Sequence, residues 1–151
     1  MTKSHSEVRL DLPCVHKAVR TGRRVVQTFA RTEGLADEEI ERLMLVASEL
    51  LANAVDHGGG EAAMTEEDLT SDVRMLLRLE VMEGGWRLEV EDAGGGDAAE
   101  AADLVARSAA PDLEDERGRG LFLVREMVSE LGVRAGEFGL IFFAIKRTAG
   151  V

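Results

Sequence analysis

The sequence has one cysteine, Cys14, and three histidines in 151 residues. A single thiol forms neither an internal disulfide nor a cysteine-based zinc site, and the histidines lack the close spacing of a metal-ligand set. Cys14 is read as a small buried hydrophobe. No stretch approaches the roughly 20 apolar residues needed to span a bilayer, and Met1 to Ser6 lead into an alternating segment, so a cytoplasmic location is expected. An excess of positive charge is also missing: 18 Lys and Arg stand against 29 Asp and Glu, a formal net charge of -11. Phosphate backbones and anionic membranes are held by clustered cations, so neither nucleic acid nor membrane is expected as the main partner. There is no internal repeat. The length suits a single domain, residues 1–151, with one core.

Val8, Leu10 and Leu12 alternate with Glu7, Arg9 and Asp11, the period of a half-buried strand that Pro13 ends. A helix follows, because Val15, Ala18, Val19, Gly22, Val26 and Phe29 recur at helical spacing. Lys17, Arg20, Arg23, Arg24 and Arg31 bring it positive charge with no acidic residue among them. That basic face is either solvated or a docking surface for an acidic partner. Asp37 is expected to cap a second helix, with Glu38 and Glu39 at its positive dipole end and Ile40, Leu43, Ala47, Leu50 and Ala54 along one side. Gly58-Gly59-Gly60 stops it, and the acidic stretch from Gly58 to Asp72 is expected to be a mobile connection.

Val73, Met75, Leu77, Leu79 and Val81, then Trp86, Leu88 and Val90, predict paired strands joined through Glu83-Gly84-Gly85, where glycine permits positive backbone angles. Leu121, Val124, Val128 and Leu131 predict a helix stopped by Gly132. Gly136 and Gly139 bracket the turn of a final hairpin running through Leu140 to Lys146. The order strand, two helices, two strands, helix, two strands predicts the α+β class. The expected architecture is a two-layer α/β sandwich, its sheet mixed but mostly antiparallel, with helices on one face.

Three segments carry the chemistry. On the helix through residue 57, Glu49, Asn53 and His57 form a stripe along the edge of the apolar face, since successive residues advance by about 100°. An Asn carbonyl and a carboxylate are hard oxygen groups suited to Mg²⁺, and Glu is also a candidate general base. Alone, the stripe is equally an ordinary amphipathic boundary, and His57 in the last turn can simply interact with the helix C-terminus. Asp92 shares strand parity with Trp86, Leu88 and Val90, which carries a carboxylate onto the inward face. Burying it unpaired costs several kcal/mol, so a hydrogen-bonding partner is expected; the exocyclic amine of a base serves, as does a turn of local amides. Gly94-Gly95-Gly96 beside it lets backbone approach a flat ligand. Gly118-Arg119-Gly120 precedes the helix expected from Leu121, where free amides receive phosphate oxygens, and Arg117 and Arg119 add positive charge.

In combination these segments resemble the GHKL, or Bergerat-fold, ATPases, and among them the small anti-sigma-factor serine kinases of bacterial partner-switching systems. The first box is Glu49-Leu50-Leu51-Ala52-Asn53-Ala54-Val55-Asp56-His57. The two glycine boxes are Asp92-Ala93-Gly94-Gly95-Gly96 and Gly118-Arg119-Gly120-Leu121-Phe122-Leu123-Val124. The resemblance implies that Asn53 helps bind Mg²⁺, that Asp92 accepts a hydrogen bond from the adenine amino group, and that Gly94 and Gly96 shape the base pocket. It places Gly118 and Gly120 against the phosphates of ATP, with Arg117, Arg119 and Leu121 in the same binding segment. Glu49 is then the general base that draws the proton from a serine hydroxyl attacking the γ-phosphate. The implied partners are a sigma factor held inactive and a STAS-domain anti-anti-sigma protein that is phosphorylated, with a homodimer as the implied assembly. Residues 97–117 correspond to an ATP lid. Asp97, Glu100, Asp103, Asp112, Glu114, Asp115 and Glu116 make that lid acidic, which also keeps open a protein-binding regulator of the same fold without strong catalysis.

Overall fold

The structure is a computed structural model that describes residues 5–58, 73–92, 98–107 and 116–148. Five strands, β1 (His5–Pro13), β2 (Arg74–Met82), β3 (Gly85–Asp92), β4 (Glu130–Ala135) and β5 (Leu140–Arg147), form one sheet in the order β1-β2-β3-β5-β4. Four helices, α1 (His16–Thr32), α2 (Asp37–Gly58), α3 (Ala98–Arg107) and α4 (Glu116–Met127), complete the α+β layers. Every strand pairing among the described residues is antiparallel, so the expected mixed, mostly antiparallel sheet is corrected there to an antiparallel one.

Strand parity decides where the core lies. Met75, Leu77 and Leu79 of β2, Trp86, Leu88 and Val90 of β3, and Phe142 and Ala144 of β5 point toward the helices and are buried. They meet Leu43, Val46, Leu50 and Leu51 of α2 and Val26 of α1, all of them at 0% exposure. Leu51 also explains Gly22, because a Cβ there would lie 2.7 Å from Leu51 Cδ1; glycine lets α1 lie close to α2. Trp86 Nε1 donates to Glu39 Oε1 at 2.9 Å, so the indole is buried with its polar atom satisfied.

The opposite sheet face is ionic. Glu89, only 6% exposed, accepts from Arg87 Nε at 2.8 Å and from Arg134 at 3.2 Å, and this pairing offsets its desolvation. No helix among the described residues is long and apolar enough to cross a membrane.

Several local expectations are corrected. Ala36 takes the cap position of α2, its carbonyl accepting from Ile40 N at 2.9 Å, and Asp37 is the first helical residue. Helix α4 starts at Glu116 instead of near Leu121 and ends at Met127, and a further helix, α3, precedes it. Leu131 and Gly132 belong to β4: Leu131 pairs with Ala144, and a Cβ on Gly132 would lie 2.4 Å from the Phe143 ring. Helical spacing at Leu131 is thus overridden by cross-strand pairing and a close aromatic contact. The expected connection from Gly58 to Asp72 lies outside the described residues beyond Gly58.

The expected hairpins are present. Gly84 and Gly85 take φ of 92° and 150° between β2 and β3. Gly136 N donates to Gly139 O at 2.6 Å between β4 and β5.

Candidate active site

Helix α2 presents Glu49 and Asn53 one turn apart, and Asp92 at the end of β3 faces the helices. Asn53 is 4% exposed and Asp92 1% exposed, so both polar side chains sit inside the two-layer interface. Asn53 Nδ2 has no hydrogen-bond partner among the described residues. An orphaned buried amide costs on the order of 1–3 kcal/mol unless a ligand or water satisfies it. Because amide nitrogen and oxygen exchange places on a flip of the side chain, the same position can offer an oxygen. A buried, unsatisfied Asn fits a site that holds a polar ligand or a hard cation.

Asp92 is closely enclosed. Gly139, in the turn just before β5, packs on its backbone so closely that a Cβ would fall 1.7 Å from Asp92 O and 3.4 Å from Oδ1. Cys14, at 0% exposure between β1 and α1, donates its thiol to Ala54 O of α2 at 3.3 Å. Burial, and then the negative charge of Asp92, push the Cys14 thiol up to about 11, so it stays protonated and unreactive near neutral pH. The expectation that Cys14 is a small buried hydrophobe holds. Its nearness to Asp92 has no local sequence signal.

Glu49 lies where α2 meets α4. Its carboxyl holds its proton more tightly than an ordinary glutamate, first because burial disfavours the anion and second because Asp56 is nearby. Asp56 is itself 3.1 Å from His16 Nε2 of α1. Gly120 of α4 packs directly on the Glu49 carboxylate, and Leu121 behind it is fully buried. The early start of α4 puts Gly118 in its first turn, among the backbone N–H groups with no partner within the helix, and Arg119 and Gly120 one and two residues further in. The side chains of His57, Arg117 and Arg119 lie outside the described set, as do Gly94 and Gly96.

The structure thus sets Glu49 of α2 against Gly120 of α4, with the buried Asn53 one turn along α2 and the buried Asp92 at the end of β3. A buried carboxylate, a second carboxylate of raised proton affinity and a helix N-terminus can serve as a hydrogen-bond acceptor, a proton acceptor and an anion site.

A family model, the histidine kinase-like ATPase domain, matches residues 13–142, a span that holds all three motifs. The chain belongs to this family. The GHKL resemblance read from the motifs is therefore borne out. Within the family, the serine-protein kinase RsbW of Listeria monocytogenes serovar 1/2a is 26% identical over 138 residues, covering 87% of this chain and 81% of its own length. The RsbU and RsbW domains of Rv1364c from Mycobacterium tuberculosis share the fold, with TM-score 0.63 and 20% identity; they cover 94% of this chain, which spans 32% of that one. The SiaB-SiaC complex from Pseudomonas aeruginosa contains a similar chain at TM-score 0.65 and 14% identity, covering 93% of this chain and 88% of that one.

Proposed function

We propose that this protein is an ATP- and Mg²⁺-dependent protein-serine kinase of the anti-sigma-factor type, which sequesters a sigma factor and phosphorylates a serine on a STAS-domain partner. The observation that carries the reading is Glu49: a partly buried carboxylate with raised proton affinity, beside the buried Asn53 and against the first turns of α4. The likeness to a serine-protein kinase at 26% identity supports the same chemistry.

In this reading Asp92 accepts the hydrogen bond of the adenine amino group, and Gly94 and Gly96 let backbone lie against the base. The first turn of α4, with Gly118, receives phosphate oxygens, with Arg117 and Arg119 nearby. Asn53 offers an oxygen to Mg²⁺, which when bound offsets the charge that builds on the phosphoryl oxygens. Glu49 takes the proton of the serine hydroxyl as its Oγ bonds to the γ-phosphorus and the bond to the ADP oxygen breaks. A base of raised pKa is better matched to this work near neutral pH than an ordinary glutamate. Residues 97–117 act as a lid over the phosphates.

The basic face of α1 is the proposed sigma-factor docking surface. His16, Lys17, Arg20, Thr21 and Arg24 line a groove of about 470 Å³ there, of a charge that attracts an acidic partner.

The acidic segment between the glycine boxes favours a second reading, a protein-binding regulator in which nucleotide is a structural ligand or is not bound. Calorimetric titration with Mg-ATP, followed by incubation with the STAS protein captured from native cells, separates the two. Binding with transfer to serine supports the kinase; binding without transfer, or no binding, supports the regulator.

A further inference from the structure

We propose that Gly120 is a positioning residue for Glu49: its bare Cα opens the space that the Glu49 carboxylate occupies, so that α4 sets where that carboxylate lies. The inference goes beyond the phosphate contact that the resemblance gives Gly120, and it rests on the reading of Glu49 as the base.

An ideal Cβ on Gly120 would lie 2.1 Å from Glu49 Oε2, 3.0 Å from Cδ and 3.6 Å from Oε1. The first separation is far inside van der Waals contact, so a methyl group and the carboxylate cannot both keep their places. Backbone conformation does not ask for glycine here, because the described glycines with positive φ are Gly34, Gly84 and Gly85. Helix propensity argues against it as well, since glycine is among the poorest residues in a helix and alanine the best. What remains is the space. The obstructing atoms are the far end of a flexible side chain, so a methyl group at 120 moves the carboxylate and leaves the fold intact.

Where the carboxylate stands sets its chemistry. Burial and then Asp56, on the same helix, raise its proton affinity. Asp56 faces His16 of α1 at 3.1 Å, and Arg125 of α4 donates to Val105 O of α3 at 2.8 Å. A carboxylate pushed off Gly120 gains solvent and loses both its aim at the serine hydroxyl and its raised affinity.

Gly120→Ala in the full chain tests this in three ways. Carboxyl NMR titration of Glu49, assigned by its loss in Glu49→Gln, is expected to move down toward the ordinary glutamate range. At saturating Mg-ATP, kcat for transfer to the STAS partner is expected to fall about 10²-fold. The Tm change caused by Gly120→Ala is expected to be more favourable in a Glu49→Ala background than in the wild type, because helix propensity then acts without the clash. An unmoved Glu49 titration, or equal Tm changes in the two backgrounds, overturns the proposal. A wild-type protein that transfers no phosphate refutes the kinase reading alone. The titration and the Tm comparison still decide the role of Gly120.

Discussion

Asp92→Asn keeps the shape of a side chain that is 1% exposed and removes its charge. If the carboxylate holds the adenine amino group, the substitution trades a charge-assisted hydrogen bond, of roughly 1.5–3 kcal/mol, for a neutral one of about 1 kcal/mol. At 1.4 kcal/mol per factor of ten, the difference is about a 3- to 30-fold loss of Mg-ATP affinity. Burial keeps solvent from making up the difference. Inosine triphosphate sharpens the test, because it carries a carbonyl oxygen where adenine carries the amine. The wild-type carboxylate repels that oxygen, whereas the side-chain amide introduced by Asp92→Asn can donate to it, so the preference for ATP over inosine triphosphate narrows or reverses in the variant. Calorimetric titration of both nucleotides with Mg²⁺ reads the two effects. A second readout needs no nucleotide: the charge of Asp92 helps raise the Cys14 thiol to about 11, so ultraviolet titration of this single thiol moves down in Asp92→Asn. An unchanged ATP-to-inosine triphosphate ratio refutes the placement of adenine on Asp92.

Other outcomes follow from the same geometry. Because burial raises the folded-state pKa of Glu49, the folded protein binds its proton more tightly than the unfolded chain; this contribution favours folding at low pH and is lost as pH rises through the folded value. Urea denaturation across pH is expected to show that loss in the wild type and a flatter dependence in Glu49→Gln, while transfer by the wild type runs the other way and fails as pH falls. Gly85→Ala sets a Cβ 1.9 Å from Lys146 O at a φ of 150°, a backbone clash no side chain can relieve, and is expected to cost at least about 2 kcal/mol in urea unfolding. Charge reversal at Arg20 and Arg24 is expected to weaken the sigma-factor complex and reduce its salt dependence in binding assays, with Mg-ATP affinity unchanged.

Much of the fold is legible in the residues because its signals are local. The alternation of β1, β2 and β3 and the apolar stripe of α2 appear in the structure with their expected inward faces, and Gly84 and Gly85 take the positive angles read for them. The parity that carries Asp92 inward is likewise a property of one strand. What escaped is set by partners distant in sequence. Leu131 continues a helical period, yet the Phe143 ring over Gly132 and the pairing of Leu131 with Ala144 draw the segment into β4. The Gly118-Arg119-Gly120 segment has low helix propensity, and α4 nonetheless begins at Glu116 because its packing against α2 outweighs that preference. For α3 a signal was present: Ala98, Ala99, Ala101 and Ala102 are strong helix formers, read only for the acidic residues between and after them. Within the site, Glu49 and Asn53 follow from helix geometry alone. The contact of Gly120 with Glu49 and that of Gly139 with Asp92 depend on how α4 and β5 dock, which no local pattern encodes.

Transfer of the γ-phosphate of ATP to a serine of the cognate STAS protein, followed by phosphopeptide mass spectrometry, tests the central claim most directly when wild type and Glu49→Ala are compared at matched Mg-ATP occupancy. The account predicts phosphoserine from the wild type and a rate about 10²-fold or more lower from the variant, the scale of a lost general base. Equal transfer by Glu49→Ala contradicts the assignment of the base, and absence of phosphoserine with nucleotide bound to both contradicts the kinase.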